Sequence, residues 1–136
     1  MGQSLKTSCN SFIKHLESKG FKKTESLSFA SIYEGDYLGN KVSISLTDSV
    51  NGHFKELMLT SIFINQGSDA KQYYVNLCNN IEKEHSGFRK EENNSYDVLK
   101  SEFYGENGSM ITVMYTYESY LATVVAVYKT ELETEQ

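Results

Sequence analysis

Apolar residues recur at Leu5, Cys9, Phe12, Ile13 and Leu16, the spacing of one face of a helix. Lys14, Glu17, Ser18 and Lys19 fill the opposite side, and Gly20 offers a left-handed stop onto which Phe21 folds back. The period then changes to two. Leu27, Phe29, Ser31 and Tyr33 predict a first strand, and Gly35 to Asn40 reads as its connection to the next. From Lys41 to Thr47 the alternation is clean: Val42, Ile44 and Leu46 on one side, Ser43, Ser45 and Thr47 on the other. One buried and one wet face is the mark of an antiparallel sheet. Asp48 to Gly52 reads as a polar turn, and Leu57 to Ile64, apolar almost throughout, predicts a strand near the sheet centre.

The order then recurs. Ser68 or Asp69 is placed to cap a second helix, whose stripe is Tyr74, Leu77, Cys78 and Ile81. That helix is expected to end at Gly87, with Phe88 in the role of Phe21, and Glu91 to Ser95 reads as a loop. Strands are predicted over 97–104, 110–117 and 121–128, with Asn107-Gly108 as a two-residue hairpin turn. The strand over 121–128 is apolar on both faces, like that over 57–64, so the two are expected side by side. Gly20-Phe21-Lys22-Lys23 is echoed by Gly87-Phe88-Arg89-Lys90, and Tyr33-Glu34-Gly35 by Phe103-Tyr104-Gly105. The expectation is an α+β single domain over 1–136, a tandem αβββ-αβββ repeat with units 4–65 and 68–129 and an acidic tail over 130–136. Both helices would pack on one face of an antiparallel sheet, with two smaller sheets at an angle as the alternative.

Composition narrows the partners. A net charge of −5, with acids and bases intermixed, works against binding a phosphate backbone, so nucleic acid is not an expected partner. No apolar run approaches the roughly 20 residues of a spanning helix, so an integral membrane protein is not expected. The chain has no proline, which leaves its turns to Gly, Asn, Asp and Ser. Cys9 and Cys78 both fall on helix stripes and read as small buried hydrophobes, a bridge between them being the alternative. The start Met-Gly-Gln-Ser-Leu-Lys lacks an apolar signal core. That fits a periplasmic or otherwise exported protein after signal removal, or a cytoplasmic one.

Chemistry-bearing residues are sparse. His15, His53 and His85 read as surface histidines, His85 in the last helical turn where the negative helix end favours an imidazolium. Glu82 and His85 form a Glu-x-x-His pair, but di-iron bundles need two such pairs and two further glutamates. No metal or cofactor is therefore expected. No nucleophile elbow or phosphate loop occurs, and Gly35 to Gly39 precedes a strand rather than a helix. An enzyme is not expected, a scattered hydrolase-like site being the weaker option. Tyr37, Tyr104, Tyr115, Tyr117 and Tyr120 cluster in strands and hairpins, and tyrosine, apolar in body and polar at the tip, suits recognition surfaces. These five are the candidate binding residues, for a protein or cell-envelope ligand, in a monomer or homodimer.

Ser8 to Phe21, followed by Tyr33-Glu-Gly-Asp-Tyr-Leu-Gly-Asn-Lys-Val42, resembles a group of small exported Bacteroidetes proteins of uncharacterised function. These open with a short helix ending in Lys-Gly-Phe, continue with an aromatic-x-Gly strand and turn, and repeat a related pattern. The resemblance implies export and supplies no catalytic residues. In architecture alone, tandem helix-plus-sheet units are similar to the beta-lactamase inhibitor protein, and an acidic chain of this size resembles type III secretion chaperones. Those likenesses concern the fold alone; an intracellular immunity protein or a secretion-chaperone-like protein that masks a partner is the alternative reading of function.

Overall fold

The computed structural model describes residues 9–27, 30–47, 49–50, 53–54, 56–64, 67–95, 98–105 and 109–129. Leu5, Phe29, the Asn107-Gly108 turn and the acidic tail of the sequence reading lie outside them. Helix α1 (Cys9–Ser18) leads into β1 (Lys22–Ser26), β2 (Ala30–Tyr37) and β3 (Asn40–Thr47). A short ladder of β4 (Ser49–Val50) and β5 (His53–Phe54) precedes β6 (Glu56–Ile64). Helix α2 (Gly67–Glu84) is followed by β7 (Arg89–Glu92), β8 (Val98–Tyr104), β9 (Met110–Glu118) and β10 (Leu121–Lys129).

Apart from the β4–β5 pair, the strands form one eight-stranded antiparallel sheet in the order β1-β2-β3-β6-β10-β9-β8-β7. The two doubly apolar strands do lie side by side, β6 on β10, paired from Leu121↔Ile64 to Lys129↔Glu56. The α+β class and a single large sheet thus match the sequence reading, but the sheet has more strands than the six expected. The basic pairs Lys22-Lys23 and Arg89-Lys90, expected at helix stops, belong instead to edge strands β1 and β7. Glu91 and Glu92, expected in a loop, also lie in β7. These segments show no alternation because a polar edge strand is wet on both sides; every residue of β1 is exposed.

Successive strand residues point to opposite faces, so cross-strand register decides which side each occupies. Tyr33, Ile44, Leu59, Ala126 and Val113 form one row across β2, β3, β6, β10 and β9. Leu46, Leu57, Tyr128, Ile111 and Phe103 form the next. All ten are buried, in one cluster with Phe12 and Leu16 of α1 and Tyr73, Tyr74, Leu77, Cys78 and Ile81 of α2. The helices cover this face. The opposite face carries no layer of described residues.

The first helix stop is as expected. Gly20 has φ of 91°, and the Phe21 amide donates to the Leu16 carbonyl at 3.0 Å, closing the last turn. The second is built differently: α2 stops at Glu84, the His85 amide donates to Ile81 O at 2.8 Å, and Gly87 is not among the left-handed residues. What the two stops share is the phenylalanine. Phe21 lies on Gly35 and Phe88 on Gly105, so closely that a Cβ at either glycine would come within 2.7 and 2.5 Å of the ring. The expected connection over Gly35 to Asn40 shrinks to the two-residue turn Leu38-Gly39, because Gly35 sits inside β2 as a landing place for Phe21.

Candidate binding surface

The open face has an uncharged centre. Ser43, Thr60, Val125 and Met114 form one row across β3, β6, β10 and β9, with Glu34 at one end and Lys100 at the other. Ser45, Met58, Val127 and Thr112 form the next, between Ile32 and Glu102. Ile62, Thr123 and Thr116 make a third. None of these central positions is charged, all are partly or fully exposed, and Ile62 reaches 58% exposure. Depletion of charge at the centre with charge at the rim is the composition of an interface core. At about 4.8 Å between strands and 3.4 Å per residue, eight strands of some seven residues present roughly 900 Å², enough for one side of a standard interface.

The sheet edges are blunted instead. β1 is Lys-Lys-Thr-Glu-Ser and β7 is Arg-Lys-Glu-Glu, and charged edge strands disfavour the addition of another strand. On β7 the Lys90 ammonium reaches Glu82 at 2.8 Å and Glu92 at 3.0 Å. Burial works against its charge, but these two carboxylates outweigh it and raise its pKa. Arg89 pairs with Glu91 and lies 4.6 Å from the Tyr104 ring centre. The charges of β7 are thus paired locally.

One end of the sheet is different. The β9–β10 turn places both Ser119 (φ 50°) and Tyr120 (φ 69°) in the left-handed region, and the β2–β3 turn does the same with Leu38 (φ 52°) and Gly39 (φ 82°). Two-residue hairpins of this kind favour Asn and Gly, because bulkier residues there cost about 1 kcal/mol or more each. The large exposed apolar residues Leu38, Ile62, Tyr120 and Leu121 gather at this same end. A cleft of about 380 Å³ opens beside the β9–β10 turn, lined by Thr116, Glu118, Ser119, Leu121 and Thr123.

The five candidate tyrosines do not share one surface. Tyr115 is buried opposite Val124, and Tyr117, opposite Ala122, packs on the same core, so both point under the helices rather than onto the open face. Tyr37 also lies on the covered side: its hydroxyl accepts a bond from Asn80 Nδ2 at 2.7 Å, its carbonyl accepts one from the Tyr73 hydroxyl at 2.9 Å, and burial raises its pKa. Tyr104, opposite Met110 and on the same side of β8 as Lys100 and Glu102, is half-exposed on the open face near the β7 edge, and Tyr120, 71% exposed, stands at the rim of that face. The aromatic-rich open face of the sequence reading is therefore corrected to a Val, Met, Ile, Ser and Thr face with Tyr104 near one edge and Tyr120 at its rim. The signal was present in the register: Tyr115 and Tyr117 share the parity of the core residues Ile111 and Val113.

The remaining reactive groups are buried or engaged. Cys78 is a free, buried thiol, so the expected alternative of a bridge to Cys9 is not formed. Burial raises its pKa, against the lowering effect of Ser101 and Tyr74, which makes it a poor nucleophile. Tyr74 and Ser101 share a 2.6 Å hydrogen bond, and burial pushes the phenol up to about 12. His85 lies past the end of α2 with its ring centre 4.9 Å from that of Phe88. Its Nε2 is buried and has no hydrogen-bond partner among the described residues, and burial lowers its pKa. The surface imidazolium expected at the helix end is thus corrected to a half-buried ring whose charged form burial disfavours. Among the described residues no group of three or more His, Cys, Asp or Glu is arranged to hold a metal, and no helix is long and apolar enough to cross a membrane. Comparison with protein-family models, with curated proteins and with solved structures found no match.

Proposed function

We propose that the protein is a non-catalytic recognition module that binds a protein partner through the open face of its sheet. The observation that carries this reading is the uncharged centre of that face, in a chain where 23% of residues are charged. Four apolar side chains on β6 and β10 (Met58, Ile62, Val125 and Val127) face outward at the middle of the sheet, where hydrogen bonding alone would accept any strand former. The charged edges favour docking on the face over strand addition. The reading of the scaffold as a duplicated unit belongs to the same proposal. It is supported by the strand order, four strands on either side of the β6–β10 contact, and by the shared Phe-on-Gly contacts.

A differential capture tests the function. Val125→Lys on the open face and Lys83→Glu on the exposed side of α2 both leave the buried face untouched. The partner is expected among proteins retained from the native host by the wild type and by Lys83→Glu, and lost with Val125→Lys. If the two variants retain the same proteins in the same amounts, the open face is not the binding surface.

A further inference from the structure

We infer that the cleft beside the β9–β10 turn is the anchor point for an arginine side chain of the protein partner, an inference that rests on the open face being the docking surface. The cleft combines two chemistries within one side-chain length. Thr116 and Thr123 are cross-strand partners, as are Glu118 and Leu121, and Ile62 pairs with Thr123 from the other side. An occupant of the cleft therefore meets the apolar side chain of Leu121, two threonines and one carboxylate. Glu118 is exposed and makes no ion pair or hydrogen bond with the described residues.

Each alternative occupant leaves something unmatched. A purely apolar side chain would desolvate a carboxylate and two hydroxyls without replacing their hydrogen bonds. An anion would be repelled by Glu118, and a hard cation would find one carboxylate where about six oxygen ligands are wanted. A long cationic side chain matches both parts, with its methylene stem on Leu121 and its charge at Glu118. Arginine fits better than lysine because its planar fork bonds a carboxylate in two places and stacks on aromatic rings, and Tyr120 stands exposed at the rim. The chain's net charge of −5 favours the approach of a basic partner segment. The left-handed Ser119 and Tyr120 hold the rim in place, backbone strain concentrated beside a cleft.

The probe is Nα-acetyl-arginine-N-methylamide, titrated into the 15N-labelled full chain, with the lysine and norleucine analogues as comparisons. The arginine probe is expected to give saturable shifts at Thr116, Glu118, Leu121 and Thr123, and Glu118→Gln to weaken it about five- to tenfold, as for a lost charge-assisted pair. The norleucine analogue is expected to bind more weakly and to respond little to Glu118→Gln. Absence of saturable shifts at these positions, equal binding of arginine and norleucine, or an unchanged affinity in Glu118→Gln would each overturn the inference. The capture experiment separates the two readings: loss with Val125→Lys but not with Glu118→Gln keeps the docking face and removes the arginine anchor. Insensitivity to both removes the docking face itself.

Discussion

Replacing Leu59 by alanine is expected to lower the unfolding free energy by about 3–5 kcal/mol, while Thr60→Ala, one residue along the same strand, changes it by less than about 0.5 kcal/mol. Leu59 is fully buried at the middle of the sheet, between Ile44 and Ala126 and under the helix layer. Removing its branched end leaves a void that the eight-stranded sheet cannot collapse to fill. Thr60 points to the open face between Ser43 and Val125, where water replaces whatever a shortened side chain vacates. For a chain of this size the first change corresponds to a melting temperature lowered by about 10–15 °C. Thermal unfolding of the two variants, followed by circular dichroism, reads the contrast directly. Comparable losses at both positions would mean that the open face is covered.

Gly35→Ala is expected to be the second most damaging of the changes considered, at about 1–3 kcal/mol, the usual penalty for overfilling a packed core. The added Cβ would meet the Phe21 ring at 2.7 Å, and Phe21 is 3% exposed and tied to α1 through its amide. It cannot swing aside without opening the helix stop. Gly105→Ala makes an equally short contact with Phe88, at 2.5 Å, but Phe88 is only half-buried and follows a turn rather than a closed cap. Its ring can yield, so the loss there is expected to be smaller. A Phe21→Leu change in the Gly35→Ala background removes the clash, and should recover part of the stability lost. Chemical denaturation of the three variants and the wild type measures the ordering, and a Gly105→Ala loss exceeding that of Gly35→Ala would contradict this packing account.

The parts of the fold legible in the sequence were those with one-sided burial. Val42, Ile44 and Leu46 announced β3, and the stripe at Tyr74, Leu77, Cys78 and Ile81 announced α2, because each meets water on one side only. The edge strands were not legible: Lys22 to Ser26 carries no alternation, and its pairing with β2 is specified only by tertiary position. The apolar outward residues of β6 and β10 gave their central position correctly, yet the recognition surface was assigned to the tyrosines instead of to them. Met58 and Ile62 are in fact exposed. That misreading hid the candidate surface, since the same residues carry it. The cleft was harder still, because Glu118 and Leu121 lie on two strands and face each other only through the register of the β9–β10 hairpin. The one local hint was Ser119-Tyr120, a tight turn lacking the glycine or asparagine that such a turn favours.

Photo-cross-linking in the native host tests the central claim most directly. A benzophenone amino acid placed at Val125, and separately at Lys83 on the far side of α2, reports what each surface touches. The account predicts an adduct of one defined additional mass from position 125, absent from position 83. No adduct from position 125, or the same adducts from both positions, would contradict it.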